Sequence, residues 1–468
     1  MSLPLHTKVL YGTGDWSISS FNTLRQIFFA IVLTDVVGLE PRLASFAVLA
    51  GVLWDALNDP LVGSISDRTR TSMGRRRPFL ILFAVPFGLM YAVLWWAPPW
   101  ESQWALALYV TGAYMVSDLI QSLVSIPFYA MTPELTPDYD ERTSITSWRM
   151  FFNQLASLAV AVVAPGLVEA MQGAGFTAQQ GYVAVAALFG VLAVFPILAI
   201  GIFVHEDAHS EPLITPPLLQ SLRAAWANVP FRYLTALNML NWISFDLVGL
   251  MMPFFVTYQL AGGELGAKTG LLGFPLAMAS AMLGVIIVSS LAAIPLWVWL
   301  SRPLGKRLSY ALGAGIWALM QLAMFTIGPG EVGYALSLSA VAGVGIAAAH
   351  VLPDAMIPDV VDWEEWKTGA RSEAVYYGTK NLVRKLSGAV SVFVALQVLG
   401  WVGYVQPAAD AVSSPQPALP LLAIRLLTGP AGAVLLVGAI VAALLFPLTR
   451  AKHRELQVAL KYRREASR

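Results

Sequence analysis

Residues 42–63 read RLASFAVLAGVLWDALNDPLVG. A helix rises about 1.5 Å per residue, so this run can cross a hydrocarbon core of about 30 Å. Yet it carries Asp55 and Asp59, whose spacing of four puts both on one helical face, with Asn58 beside them. Carboxylates at membrane depth are costly and mark function. Two on one face repel each other and desolvate badly. A bound cation removes both problems, either Na+ held by oxygen ligands or a proton on one carboxyl. The alternative is a pair of acids salt-bridged to a neighbouring helix, with no coupling ion. Ser122 and Ser125 lie three apart in a later apolar run. They would supply further oxygens to the same cation or bond back to their own helix.

The rest of the chain is of the same kind. Its 468 residues are 57% hydrophobic and 12% charged, about half the charge of a soluble domain. No long polar linker divides it, which argues against a soluble enzyme. A mean hydropathy of +0.66 excludes disorder. A net charge of +1 argues against a nucleic-acid partner. Cysteine is absent, so there is no disulfide and no thiolate site. Twelve spans are predicted, at 13–36, 42–63, 78–98, 104–131, 145–169, 180–204, 231–258, 270–300, 308–328, 333–357, 373–402 and 421–447. The runs are too long and too continuously apolar for barrel strands, so the expected fold is all-α. The first run is long, contains Arg25 and lacks a clear small-residue cleavage site, unlike a secretory leader. Neither a phosphate-cradling glycine loop nor a His metal motif is present. The expectation is therefore no enzyme and no cofactor.

Basic residues set the orientation. Arg68, Arg70, Arg75, Arg76 and Arg77 fill the second loop, and Arg142, Arg302, Lys306, Arg307, Lys367 and Arg371 fall in other loops of the same side. The opposite loops hold Arg42 and Lys268. Both termini are thus predicted cytoplasmic, in a bacterial-type inner (plasma) membrane. The longest internal polar stretch, 205–230, has six spans on each side. The division expected is a bundle at 1–204, a central cytoplasmic loop at 205–230, a bundle at 231–447 and a basic tail at 448–468. The amphipathic tail would lie on the membrane surface or be disordered. The halves echo one another. Gly74-Arg75-Arg76 recurs as Gly305-Lys306-Arg307, and Pro133-Glu134 with Arg142-Thr143-Ser144 recurs as Pro358-Asp359 with Arg371-Ser372. Two six-helix bundles with a site between them are the architecture of the major facilitator superfamily. The stretch from Gly63 through Asp67-Arg68 to Gly74-Arg75-Arg76 resembles its cytoplasmic loop. Asp67, Arg68, Arg75, Arg76, Arg142 and Arg371 would latch the halves at helix ends. The alternative is a plain positive-inside anchor.

Other charges lie at membrane depth. Lys380, Arg384 and Lys385 fall in span 11. Lys385 is the candidate to pair with the span-2 acids in one state and yield to a cation in another, with a static salt bridge as the alternative. Arg149 in span 5 would ligate substrate or bridge to Asp55 or Asp59. Asp118 and Gln121 in span 4 and Asp246 in span 7 are candidates for the substrate cavity. Arg25 and Arg425 are candidate partners of Asp15 and Asp246. Trp54, Tyr129, Tyr377 and Asn381 lie on the same polar helices, where aromatic rings would stack on a sugar or simply pack.

The runs Tyr11-Gly12-x-Gly14-Asp15, Thr34-Asp35-Val36-Val37-Gly38-Leu39 and Trp54-Asp55-Ala56-Leu57-Asn58-Asp59-Pro60-x-x-Gly63 resemble the glycoside–pentoside–hexuronide:cation symporters. So do Ile126-Pro127-Phe128, Arg149 and Asp359-x-x-Asp362-x-x-x-x-Lys367-Thr368-x-x-Arg371-x-Glu373. The likeness runs nearly the whole chain and implies a major facilitator fold. By it, Asp55 and Asp59 bind the coupling cation with help from Ser122, while Lys385 and Arg149 match the family's helix-11 lysine and helix-5 arginine. The melibiose-binding members hold sugar hydroxyls with a helix-1 and a helix-4 aspartate. Those positions are Ser19 and Ser125 here, with Ile18 for a lysine and Tyr129 for a tryptophan. Losing the helix-4 carboxylate leaves Na+ and H+ both open.

The function expected is cation-coupled symport of a glycoside or other sugar derivative by alternating access, by a monomer in the lipid bilayer. Transport of a lysolipid-like amphiphile, as in the vertebrate sodium-dependent lysophospholipid symporter, is a second reading. A non-transporting receptor or scaffold is a third.

Overall fold

The computed structural model describes residues 3–136, 139–205, 223, 225–264, 267–271, 274–368, 373–407 and 414–466. Helices α1 (Leu5–Gly12), α2 (Gly14–Ile31), α3 (Pro41–Arg68), α4 (Arg77–Trp95), α5 (Gln103–Leu135), α6 (Tyr139–Gly173) and α7 (Ala178–Phe203) come first. After the central stretch come α8 (Val229–Phe254), strands β1 (Lys268–Leu271) and β2 (Phe274–Ala277), and α9 (Met278–Leu304). They are followed by α10 (Lys306–Met324), α11 (Val332–Thr368), α12 (Glu373–Trp401), α13 (Ala418–Thr428), α14 (Pro430–Leu445) and α15 (Arg450–Ala466). Wide single turns extend α2 over Val32–Val36 and α8 over Phe255–Leu260. Among the described residues, ten helices are long and apolar enough to cross a membrane by length and composition. The broken first crossing, α1 and α2, and the more polar α10 bring the number to the twelve expected.

The starts of these helices follow from local chemistry. Pro41, Pro78, Pro230 and Pro430 sit in first turns, where the missing N–H costs nothing. Ser102, Thr177 and Asn228 accept backbone N–H bonds as caps, and Gln180 completes a capping box with Thr177. Two expected boundaries move. The eighth span was expected from residue 270, but α9 starts at Met278. Residues 268–271 pair instead antiparallel with 274–277, Lys268 opposite Ala277 and Leu271 opposite Phe274. Gly270 and Pro275 disfavour helix there, although the segment is apolar. The twelfth span breaks at Gly429 into α13 and α14; a Cβ there would lie 2.5 Å from the Gln321 carbonyl oxygen.

The chain divides into two compact units. The first is 1–213 with 263–281 and 392–420, and the second is 214–262, 282–391 and 421–468. In the first, the end of α12 and the segment after it join the early helices. Arg42 donates to the Gly400 carbonyl, Gln397 to Ser45 Oγ at 2.8 Å, and Tyr404 to Asp35 at 2.6 Å. The tail is a helix, α15, whose Leu456 and Leu460 are buried. Its amphipathic face is used on protein, since His453 and Gln457 bond Asp362 of α11 at 3.1 and 2.5 Å.

Two helix crossings are closed by glycine. A Cβ on Gly190 (α7) would overlap the Gly88 carbonyl oxygen of α4, and one on Gly88 would sit 2.9 Å from that of Gly190. In the second unit Gly313 (α10) and Gly345 (α11) approach in the same way. The obstruction is backbone and cannot swing aside. Gly190→Ala is therefore expected to cost about 1–3 kcal/mol. A lower thermal midpoint of the purified variant in detergent is the check; an unchanged midpoint would show that the crossing relaxes freely.

Candidate functional site

A cluster of two carboxylates and a hydroxyl forms on the faces of α3 and α5. Asp55 and Asp59 come from successive turns of α3. Ser122, on α5, donates its hydroxyl to Asp59 Oδ1 at 2.6 Å and lies 3.5 Å from Asp55 Oδ1. The serine thus stands between both carboxylates. Asn58 is 2% exposed, and among the described residues neither its amide oxygen nor its nitrogen has a hydrogen-bond partner. An unspent buried amide beside two carboxylates and a hydroxyl is a donor set of hard oxygens. It fits Na+, and equally a proton shared within the acid pair. Ser125 is buried one turn beyond Ser122.

Beside this cluster Arg25 of α2 pairs with Asp118 of α5 at 2.9 Å and lies over the rings of Tyr114 and Phe21. Asn22 links the set, accepting from Gln121 at 2.8 Å and from Arg25 at 3.4 Å. Arg25 was expected to partner Asp15. It cannot, because ten residues of helix, about 15 Å, separate the two. Asp15 is paired instead with Arg149 of α6 at 2.5 Å. Arg149 also donates to Thr132 at 3.1 Å and lies over the Tyr129 ring at 4.7 Å. The bridge from Arg149 to Asp55 or Asp59 is thus replaced by one to Asp15, whose side chain is 1% exposed. Tyr129 reaches Asp15 at 3.5 Å, and Tyr11 bonds Thr132 at 2.9 Å. Ser19 is buried and receives the Asn153 amide. Ile18 is buried, and Trp54 spends its indole N–H on the Met115 carbonyl at 3.1 Å.

The second unit has its own charged cluster. Arg384 grips Asp246 with two bonds, 2.5 and 2.9 Å, and covers the Trp242 ring at 4.0 Å. Trp242 stacks on His350 at 4.8 Å, with Phe245 edge-on to the same imidazole. His350 Nε2 is buried and, among the described residues, has no hydrogen-bond partner. Gly388 lets this pair lie close, since a Cβ there would stand 3.3 Å from Asp246 Oδ2. Lys380 pairs with Asp354 at 2.5 Å. Arg425, expected near Asp246, donates instead to the Phe325 carbonyl at 2.6 Å. Asn381 is exposed, Lys385 is half-buried on α12, and the Tyr377 side chain lies outside the described residues. Asp354, Trp242, His350 and Asn22 were missed by the sequence reading. A histidine inside an apolar run, AAAHVLPDA at 347–355, was the available signal.

Of the residues expected to latch the halves, Arg75 and Arg76 are buried; Arg76 binds Asp67 and donates to Ser66 at 2.6 Å. Arg68 is exposed at the end of α3. The Arg142 side chain and Arg371 lie outside the described residues. The echo between halves is real in roles but shifted by one residue. Arg77 caps the end of α7 through the Gly201 and Ile202 carbonyls, both at 2.8 Å. Arg307 does the same at the end of α14 through Leu444 and Phe446, at 2.7 and 3.1 Å. Arg76 and Lys306 each hold an acid, Asp67 and Asp359.

A multi-pass membrane bundle with paired charges buried at membrane depth, and a hard-oxygen cluster among them, defines a transporter. Residues 10–450 match the MFS/sugar transport protein family, and the chain belongs to it. A putative glycoside/cation symporter of Escherichia coli is 26% identical, over 96% of this chain and 93% of that protein. The isoprimeverose transporter of Lactiplantibacillus pentosus is 23% identical, over 86% of this chain and 81% of its own length. Among solved structures, a bacterial homologue of the human drug peptide transporters superposes with a TM-score of 0.66 at 12% identity. It covers 94% of this chain and 98% of that one, a likeness of fold.

Proposed function

We propose that the chain is a cation-coupled symporter of a glycoside or related sugar derivative. Its coupling site is Asp55, Asn58, Asp59 and Ser122. The observation that carries this is the Ser122 hydroxyl set between two carboxylates beside a buried, unspent asparagine. The names of the two relatives, glycoside/cation symporter and isoprimeverose transporter, support the substrate class. Na+ and H+ both fit the cluster, and the ion that stabilises the protein identifies which one is coupled. Lys385 and Arg149 couple the ion to conformation. In the first unit Ser19, Ile18, Trp54, Asp118, Gln121 and Tyr129 are the candidates for substrate contact, with Ser125 a further candidate for the cation; in the second unit the substrate candidates are Asp246, Tyr377, Lys380 and Asn381. The protein works as a monomer in a bacterial inner membrane with both termini cytoplasmic, as the Arg and Lys bias supports. Asp67, Arg68, Arg75, Arg76 and Arg142 in the first half and Arg371 in the second are the candidates for cytoplasmic helix-end latches.

The test is uptake of labelled glycosides into proteoliposomes under an imposed Na+ or proton gradient, with thermal stability measured in Na+, Li+ and choline. Gradient-driven accumulation of any glycoside supports the reading. Absence of any cation or proton response sinks it. Ser122→Ala is expected to weaken cation binding about fivefold, since one hydroxyl contact contributes about 1 kcal/mol. A cation titration of thermal stability reads this directly. An unchanged titration would place Ser122 outside the ion's reach.

A further inference from the structure

We propose that a cavity in the second unit, at the corner between α9 and α10 and against the start of α15, binds a phosphate-bearing anion. The cavity measures about 470 Å³ and is lined by Arg302, Lys306, Arg307, Arg450 and His453, with Asp359 as the carboxylate among them. Four permanent cations against one carboxylate leave the cavity positive whatever the state of the histidine. Lys306 spends its ammonium on Asp359 at 2.6 and 2.7 Å. The arginines are not used up. A guanidinium has five N–H donors. Arg307 gives two to the end of α14, and Arg450 gives one to the Arg302 carbonyl. Among the described residues the exposed Arg302 guanidinium makes no hydrogen bond or ion pair.

Backbone polarity points the same way. The lining runs through Gly305, Lys306, Arg307 and Leu308, the first turn of the 19-residue α10, and through Thr449, Arg450 and Ala451 at the start of the 17-residue α15. Two helix N-termini therefore open on one cavity, and their first-turn N–H groups with a positive dipole end favour an anion there, although Thr449 Oγ1 accepts the Lys452 N–H at 3.3 Å. Gly305 starts α10 with no side-chain cap. The opposing feature, the carbonyl end of α9, is covered where Arg450 bonds Arg302. Forked guanidinium donors together with first-turn N–H groups suit phosphate oxygens better than a single halide. The cavity lies where α9 ends and α14 leaves the apolar zone. The phosphate thus comes either from an acidic lipid headgroup or from a soluble phosphate compound.

The experiment uses the full-length, delipidated protein in neutral detergent. Thermal stability is titrated with inorganic phosphate, against chloride at matched ionic strength. In a second arm phosphatidylglycerol is titrated against phosphatidylcholine. Arg302→Gln is the variant, because it removes an exposed, unspent guanidinium and leaves every contact of α10, α14 and α15 in place. The expected result is stabilisation in at least one arm, with apparent affinity about tenfold weaker in the variant. A phosphate response identifies a soluble ligand, and a response confined to phosphatidylglycerol identifies a lipid. The proposal is overturned if neither anion stabilises beyond its control, or if Arg302→Gln keeps the full response.

Discussion

Asp59→Asn is expected to abolish coupled uptake while leaving a folded protein. Asparagine keeps the shape of the side chain, and its carbonyl still accepts the Ser122 hydroxyl that now donates at 2.6 Å. What it loses is charge and the capacity to take up a proton. Removing one charged partner from a desolvated pair costs about 2–5 kcal/mol, roughly thirtyfold or more in affinity. Cation-dependent stabilisation should disappear together with concentrative uptake, whichever ion is coupled. The wild type separates the two ions. With Na+ coupled, added Na+ raises the thermal midpoint at neutral pH. With a proton coupled, Na+ does nothing and acidification stabilises, because the protonated pair is the bound form. In either case the variant should be flat. If Asp59→Asn still accumulates sugar against a gradient, the coupling site lies elsewhere.

Asp15→Asn is expected to be the most damaging single change outside that cluster. Its carboxylate is 1% exposed and holds Arg149, itself 12% exposed, at 2.5 Å. Breaking a buried ion pair from one side strands the other charge and costs about 3–5 kcal/mol. The Tyr129 ring and Thr132 hydroxyl offset part of this, since both remain against the guanidinium. The double variant Asp15→Asn, Arg149→Gln removes both charges and should recover much of the loss. Thermal midpoints of the wild type, both single variants and the double variant give the coupling between the two residues. Simple additivity would mean that the pair contributes no mutual stabilisation. Transport is expected to fail in all three variants, so the stability cycle, not uptake, decides this point.

Depth was legible in the sequence, and partners were not. An aspartate within an apolar run must lie at membrane depth, so Asp55, Asp59, Asp118, Asp246 and Arg149 could be singled out by burial cost alone. Which neighbour each one meets depends on helix packing, which periodicity does not encode. Arg149 shows this: its depth was plain, but its partner sits on another helix, 134 residues earlier. Hydropathy also misread residues 270–277. GLLGFPLA is apolar and reads as part of a span, yet Gly270 and Pro275 disfavour helix and the strands on either side pair antiparallel. His350 escaped notice because one imidazole fits no spacing rule; only the stacked Trp242 and edge-on Phe245 show its setting. The pairing of Asp55 and Asp59 was the most readable part, since the four-residue repeat fixes two acids on one face, and Ser122 lies by both. Ser122 was singled out by its spacing from Ser125, and the family likeness pointed to it again; that its hydroxyl meets Asp59 was not legible.

The crossing of Gly88 with Gly190 bears on how this chain tolerates variation. Backbone meets backbone there, so the space holds a hydrogen atom and nothing larger. In a library of random substitutions sorted only for protein delivered to the membrane, these two positions should stay glycine while Asp59 drifts. Sorted again for growth on the transported sugar, Asp59 should become invariant as well. The difference between the two surviving populations would separate residues that shape the bundle from residues that move the cargo.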